Sequence, residues 1–184
     1  MAQCVIARST RRNNAFKGVV AGLAGGLVGS WTMNRFQAVV SRATADSRPG
    51  DQSKSEPSAD RPSHPEDENA TQRLAQAVAE RTIDRRLSKD ELQVAGPVVH
   101  YTYGTLMGGL YGALAERSRA VRSLAGTAYG ATLWAAGDEV AVPLFGLSRP
   151  STEYPVSTHA QAFAAHIVYG VTTELVRRGL RAAL

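Results

Sequence analysis

The amino-acid sequence predicts an all-α fold: a polytopic membrane helix bundle of about four transmembrane helices, interrupted by a disordered polar insertion. Three observations predict it. Four stretches are almost free of Asp, Glu, Lys and Arg: Gly18 to Asn34, Leu92 to Ala115, Ser123 to Ser148, and Tyr154 to Thr173. Within them small residues recur at every fourth position, which places them on one face of a helix. Acid is segregated, with eleven of the 16 Asp and Glu residues between Asp46 and Glu91. That segregation excludes both an evenly charged soluble surface and a uniformly disordered chain. The single cysteine, Cys4, excludes an internal disulfide and a cysteine-based zinc cluster.

In chain order, residues 1–17 read as a basic cytoplasmic tail, with Arg8, Arg11, Arg12 and Lys17 and no acid. Residues 18–40 read as the first transmembrane helix, with Gly18, Gly22, Gly26 and Ser30 on one ridge. Its uncharged part is shorter than the roughly 20 residues a crossing needs, so either the Lys17 stem snorkels or the bilayer thins locally. Residues 44–70 hold Pro, Ser, Asp and Glu with no large apolar side chain, a composition that cannot repay the entropy of folding and predicts a disordered linker. Residues 71–87 form an amphipathic helix in which Ala75, Ala79, Ile83 and Leu87 make a stripe beside Leu74 and Val78. Such a helix suits a membrane surface, a partner, or the bundle itself.

Ser88 followed three residues later by Glu91 is a capping box, so a new helix starts there and runs over 89–115 into the second span. Gly96-Pro97 is expected to kink it, and Gly104, Gly108 and Gly112 form its ridge. Residues 123–147 are the third span, with Gly126 and Gly130 four apart. Asp138 and Glu139 interrupt it, so their carboxyl groups must sit near an interface or face other helices. Residues 154–176 are the fourth span and 177–184 a second basic cytoplasmic tail. Glycine inside a water-soluble helix costs about 1 kcal/mol relative to alanine, whereas in lipid it lets helices approach closely. The ridges therefore argue for a bilayer.

Basic residues set the orientation. Arg117, Arg119 and Arg122 crowd one short connection and Arg177, Arg178 and Arg181 the last turns, which places both termini and that connection in the cytoplasm. A cleaved signal peptide competes for the first window, but only Gly29, Ser30, Trp31 and Thr32 follow the apolar core, with no Ala-x-Ala site. Nucleic acid is excluded as a partner, because the arginines flank apolar windows and form no stripe with aromatics.

Ionisable groups within the windows are the candidate functional residues: His100, Asp138, Glu139, His159, His166 and Glu174. His100 continues the Gly104, Gly108, Gly112 ridge, and Ala162, His166, Gly170 and Glu174 form another. A proton or small-ion path would use His100, His166, Asp138 and Glu139 as relay groups, centred on His166 and the Asp138-Glu139 pair. A metal or haem site would need His159 and His166, whose seven-residue gap is less apt for one ion than three or four. The plainer alternative is that these groups pair to fix helix register. No catalytic constellation and no phosphate loop is present, and no cofactor or metal is expected.

The run VPLFGLSRPSTEYPVSTHAQAFAAHIVYGVTTELVRRGLR resembles the end of the YagU-like bacterial inner-membrane proteins. The features in common are the Pro143 to Leu147 turn, Pro150, Pro155, His166, and Glu174 followed by Arg177 and Arg178. The glycine-rich first window resembles that family's first span. The resemblance implies an integral inner-membrane protein with no assigned reaction.

Together these readings predict a non-enzymatic membrane scaffold or envelope component of the inner membrane. Its expected partners are the lipid bilayer and, through the glycine ridges, a second copy of the chain. The alternatives are a proton-coupled or ion-conducting protein and a soluble helical binding module.

Overall fold

A computed structural model of the chain describes residues 2–46 and 69–183. Residues 47–68, most of the expected disordered linker, lie outside the described residues, as do the side chains of 1–13 in the expected basic tail. The fold is all-α, and no strand occurs among the described residues. The elements are α1 (Ala2–Asp46), α2 (Ala70–Ile83), α3 (Lys89–Ala115), α4 (Thr127–Leu133), a π-helical segment (Trp134–Ala141), α5 (Val142–Leu144) and α6 (Val156–Ala183).

Glycine ridges set the register between the long helices. Gly18, Gly22 and Gly26 of α1 lie against Gly112, Gly108 and Gly104 of α3, so the two helices run antiparallel. A Cβ on Gly22 would overlap the Gly108 carbonyl, and one on Gly108 would overlap the Gly22 carbonyl. Backbones this close are what small residues four apart permit. A second face of α1 lies antiparallel along α6, with Gly25 and Gly29 against Thr173. Gly126 and Gly130 in turn pack on the Gly170 and His166 backbone. The four long segments alternate in direction. The ridges thus pack against one another within one chain.

α2 differs from its expected extent of 71–87. It stops at Ile83, where Asp84 turns left-handed at φ 48°. The chain then folds back, because the Leu87 N–H donates to the Gln76 side chain at 3.0 Å. Its N-terminus is closed by an Asn69–Gln72 capping box, and α3 starts with the Ser88–Glu91 box. α2 lays Ala75 and Ala79 inward, and its Gln72 reaches α3 beside Gly96, donating to the Leu92 carbonyl at 3.4 Å. α3 continues through Pro97.

The expected third span, 123–147, is not one regular helix. Leu124, Ala125 and Gly126 are all left-handed, which ends the 116–126 connection abruptly before α4. Gly126 has φ 87°, and a side chain there would also overlap the Gly170 carbonyl, so both conformation and space require glycine. After Leu133 the helix widens to a π-helical coil through Ala141. Proline supplies the reason: Pro143 has no N–H for the Glu139 carbonyl, and its ring crowds that turn. The Val142 N–H bonds five residues back, to Gly137, and the Ser151 hydroxyl donates to the Glu139 carbonyl at 3.1 Å instead.

Small residues fill most of the buried positions, while many large apolar side chains are exposed. The buried residues are largely Gly, Ala, Ser, Thr and Tyr, with Met33 and Leu92 the large aliphatic side chains among them. Leu27, Val28 and Trp31 of α1, Val94, Val98, Leu106 and Leu110 of α3, and Phe163 and Leu175 of α6 are exposed. Soluble folds bury such residues first. Yet among the described residues no helix is long and apolar enough to cross a membrane, so the expected four spans are not carried by helix composition.

Candidate functional site

The π-helical segment brings two carboxylates to one face of α6. His159 and His166 lie seven residues apart, almost two full turns, and so share that face at about 10 Å separation along the axis. Glu139 Oε1 is 2.6 Å from His159 Nδ1. Asp138 Oδ2 is 3.7 Å from His166 Nδ1, beyond hydrogen-bond range. His166 Nδ1 instead donates to the Ala162 carbonyl at 2.9 Å, one turn back on its own helix. Four of the six expected groups thus form two acid–histidine pairs. Glu139 lies beside His159, and Asp138 beside His166.

His159 is held on both sides, since its Nε2 donates to the Ser151 carbonyl at 3.0 Å. With the Ser151 hydroxyl on the Glu139 carbonyl, three residues close a ring of hydrogen bonds. Tyr154 stands edge-on to the imidazole at 6.5 Å between centroids. Ser151 was not legible as part of the site, because its role depends on the carbonyl that Pro143 leaves free.

His100 and Glu174 go elsewhere. His100 Nε2 is buried without a hydrogen-bond partner, as is Trp134 Nε1. Glu174, fully buried, accepts from Arg177 Nε at 2.6 Å and Nη2 at 3.0 Å, and from Arg178 Nε at 2.6 Å. Arg177 and Arg181 also reach Glu116 at the end of α3, at 3.3 and 2.8 Å. A charged cluster therefore ties α3 to α6 at the end of the bundle opposite the Glu139–His159 ring. Spacings of three and four from Glu174 to Arg177 and Arg178 signal part of it in the sequence. The share of Glu116, 58 residues before Glu174, has no such local signal.

Between the two ends, tyrosines bridge helices. Tyr169 donates to the Gly104 carbonyl at 2.6 Å and Tyr129 to the Met107 carbonyl at 2.6 Å. Thr32 donates to Thr172 at 3.1 Å. Among the described residues no group of three or more His, Cys, Asp or Glu side chains could hold a metal ion. The two acid–histidine pairs stay two separate sites along α6.

On the α2–α3 hairpin, Arg85 grips Glu91 through two bonds of 2.9 and 2.8 Å, and the Ser88 N–H adds a third at 2.8 Å. The guanidinium first, and the backbone N–H second, hold the Glu91 carboxyl down at about 2. Gln76 and Arg86 lower Glu80 in the same way.

The family model for a protein of unknown function, DUF1440, matches residues 48–175. The chain belongs to the DUF1440 family. The DUF1440 match takes in α2 through α5, both acid–histidine pairs and Glu174, and leaves α1 outside it. No curated protein matches the chain, and no solved structure does.

Proposed function

We propose that this DUF1440 chain is a membrane-embedded four-helix bundle of the inner membrane, with both termini in the cytoplasm and a non-enzymatic, scaffolding role. The observation that carries the reading is the inverted packing, with small and polar side chains between the helices and Leu, Val, Phe and Trp on the outside. The exposed apolar side chains of α3 run from Val94 to Leu114. At 1.5 Å per residue that is about 30 Å, the thickness of a hydrocarbon core. Mean hydropathy counts ridge glycines and lipid-facing leucines alike, and so understates such a helix. The basic residues at the Glu116–Arg181 end support a cytoplasmic placement for that end. The resemblance of Val142 to Arg181 to YagU-like proteins supports the inner membrane.

Alkaline carbonate extraction tests it. The chain should remain with the membranes and dissolve only in detergent. Release into carbonate as a monodisperse species would overturn the reading in favour of a soluble helical binding module. Reporter tags at residue 119 and at the C-terminus should both report the cytoplasm, and a tag at residue 60 the opposite side.

A second reading, a proton-coupled protein, is favoured by the two acid–histidine pairs on one face of α6. Reconstituted vesicles should then show a pH-driven proton flux that His166→Ala abolishes. An unchanged flux in that variant would leave the scaffold alone.

A further inference from the structure

The ring at Glu139, Ser151 and His159 permits a count of hydrogens. His159 Nε2 faces the Ser151 carbonyl at 3.0 Å, and a carbonyl oxygen only accepts, so Nε2 bears a hydrogen. Nδ1 faces a carboxylate oxygen at 2.6 Å. A neutral imidazole has a single N–H, already committed to Ser151, so its Nδ1 would present a lone pair to the lone pairs of an ionised carboxylate. The geometry points to one further proton: we infer that Glu139 and His159 together form a proton-binding site, holding one shared proton between Nδ1 and Oε1 in addition to the Nε2 hydrogen. The proton sits on Nδ1 opposite a carboxylate, or on the carboxyl opposite a neutral ring. The pair is neutral in either arrangement, which suits its partial burial.

His166 shows that the count is specific to the ring. Its Nδ1 hydrogen is spent on the Ala162 carbonyl, and Asp138 at 3.7 Å makes no competing hydrogen bond, so one hydrogen satisfies it. The groups facing the Glu139–His159 pair are Ser151 and Tyr154 from the turn, and Asp138 is the chain neighbour of Glu139, with its carboxylate toward His166. Arg149 and Glu153 flank Ser151 in sequence, and among the described residues neither makes an ion pair with the ring. Loss of the shared proton sets lone pair against lone pair, and the Ser151–Glu153 turn must then release either His159 or Glu139. The site is thus linked to the turn that joins α5 to α6. It requires neither a bilayer nor a proton flux, since three residues of one chain close it.

The test is a proton count on the full chain, labelled with ¹⁵N at histidine and ¹³C at glutamate carboxyls, at about pH 7.5, where an ordinary histidine is neutral. The expected result is two protons on the pair: both His159 nitrogens protonated with Glu139 ionised, or Nε2 and the Glu139 carboxyl both protonated. A His159 ring with a single N–H opposite an ionised Glu139 would overturn the inference. In Glu139→Gln, with His166 signals unchanged as the measure of folding, the His159 ring should be neutral, with Nε2 its single N–H. Retention of both ring protons in that variant would also overturn it. The wild-type count needs no variant, so a misfolded Glu139→Gln leaves the inference decidable.

Discussion

Glu174 is fully buried at the close of α6, where it neutralises Arg177, itself 3% exposed. Removing one partner of a buried pair leaves an uncompensated charge. Glu174→Gln is therefore expected to cost about 3 kcal/mol, seen as a lowered thermal midpoint in detergent. Glu116→Gln should cost less, because Arg177 keeps two bonds to Glu174 and Arg181 is more exposed. Glu91 gives a prediction in pH. Its folded-state value of about 2 lies below the ordinary 4.5, so its contribution is complete above pH 4.5 and is lost as pH falls through about 2. The Ser88 amide resonance should follow that titration, and Arg85→Ala should bring the midpoint back toward 4.5. An Arg85→Ala midpoint still near 2 would show that the Ser88 N–H alone holds the carboxylate.

At the scale of elements, close approach of α1 and α3 rests on absent side chains. Gly108→Leu places four carbons where the Gly22 carbonyl and the Gly26 backbone already are, and should prevent the two helices from closing. Leu110→Phe, on an exposed position of the same helix, should be tolerated. Limited proteolysis of both variants in detergent would read this, and equal resistance would exclude ridge packing as the cause. The π-helical segment depends on Pro143 and on Ser151 as its replacement donor. Ser151→Ala leaves the Glu139 carbonyl without that bond, with an expected loss of about 1 kcal/mol.

For the whole molecule, the two tryptophans test the proposed contact of the outer apolar face with lipid. Trp31 is 51% exposed on α1, whereas Trp134 packs edge-on against Phe163 at 5.1 Å with its ring nitrogen buried. In single-tryptophan variants reconstituted with brominated acyl chains, Trp31 fluorescence should be quenched several-fold more strongly than Trp134. Equal quenching would contradict an outward apolar face. Charge is arranged on the same scale, with Arg177, Arg178 and Arg181 beside the Arg117 to Arg122 connection at one end. Moving that positive charge to the opposite end should invert the reporter-tag pattern.

Helical class, the four-residue ridges, the Ser88–Glu91 cap and the link from Glu174 to Arg177 and Arg178 could all be read from the sequence by itself. Each depends on neighbours within about one turn, and the 3.6-residue helix period fixes those before any tertiary contact exists. The sequence also marked Asp138, Glu139, His159 and His166 as costly groups in apolar surroundings. Tertiary structure decided how they pair. Glu139 meets His159 and not His166 because Pro143 widens the preceding coil and Ser151 returns to fill the bond it lost. It also decided which glycine ridge meets which, and that many large apolar side chains remain exposed. Those outcomes depend on the rotation and register of helices far apart in the chain, which no local spacing encodes.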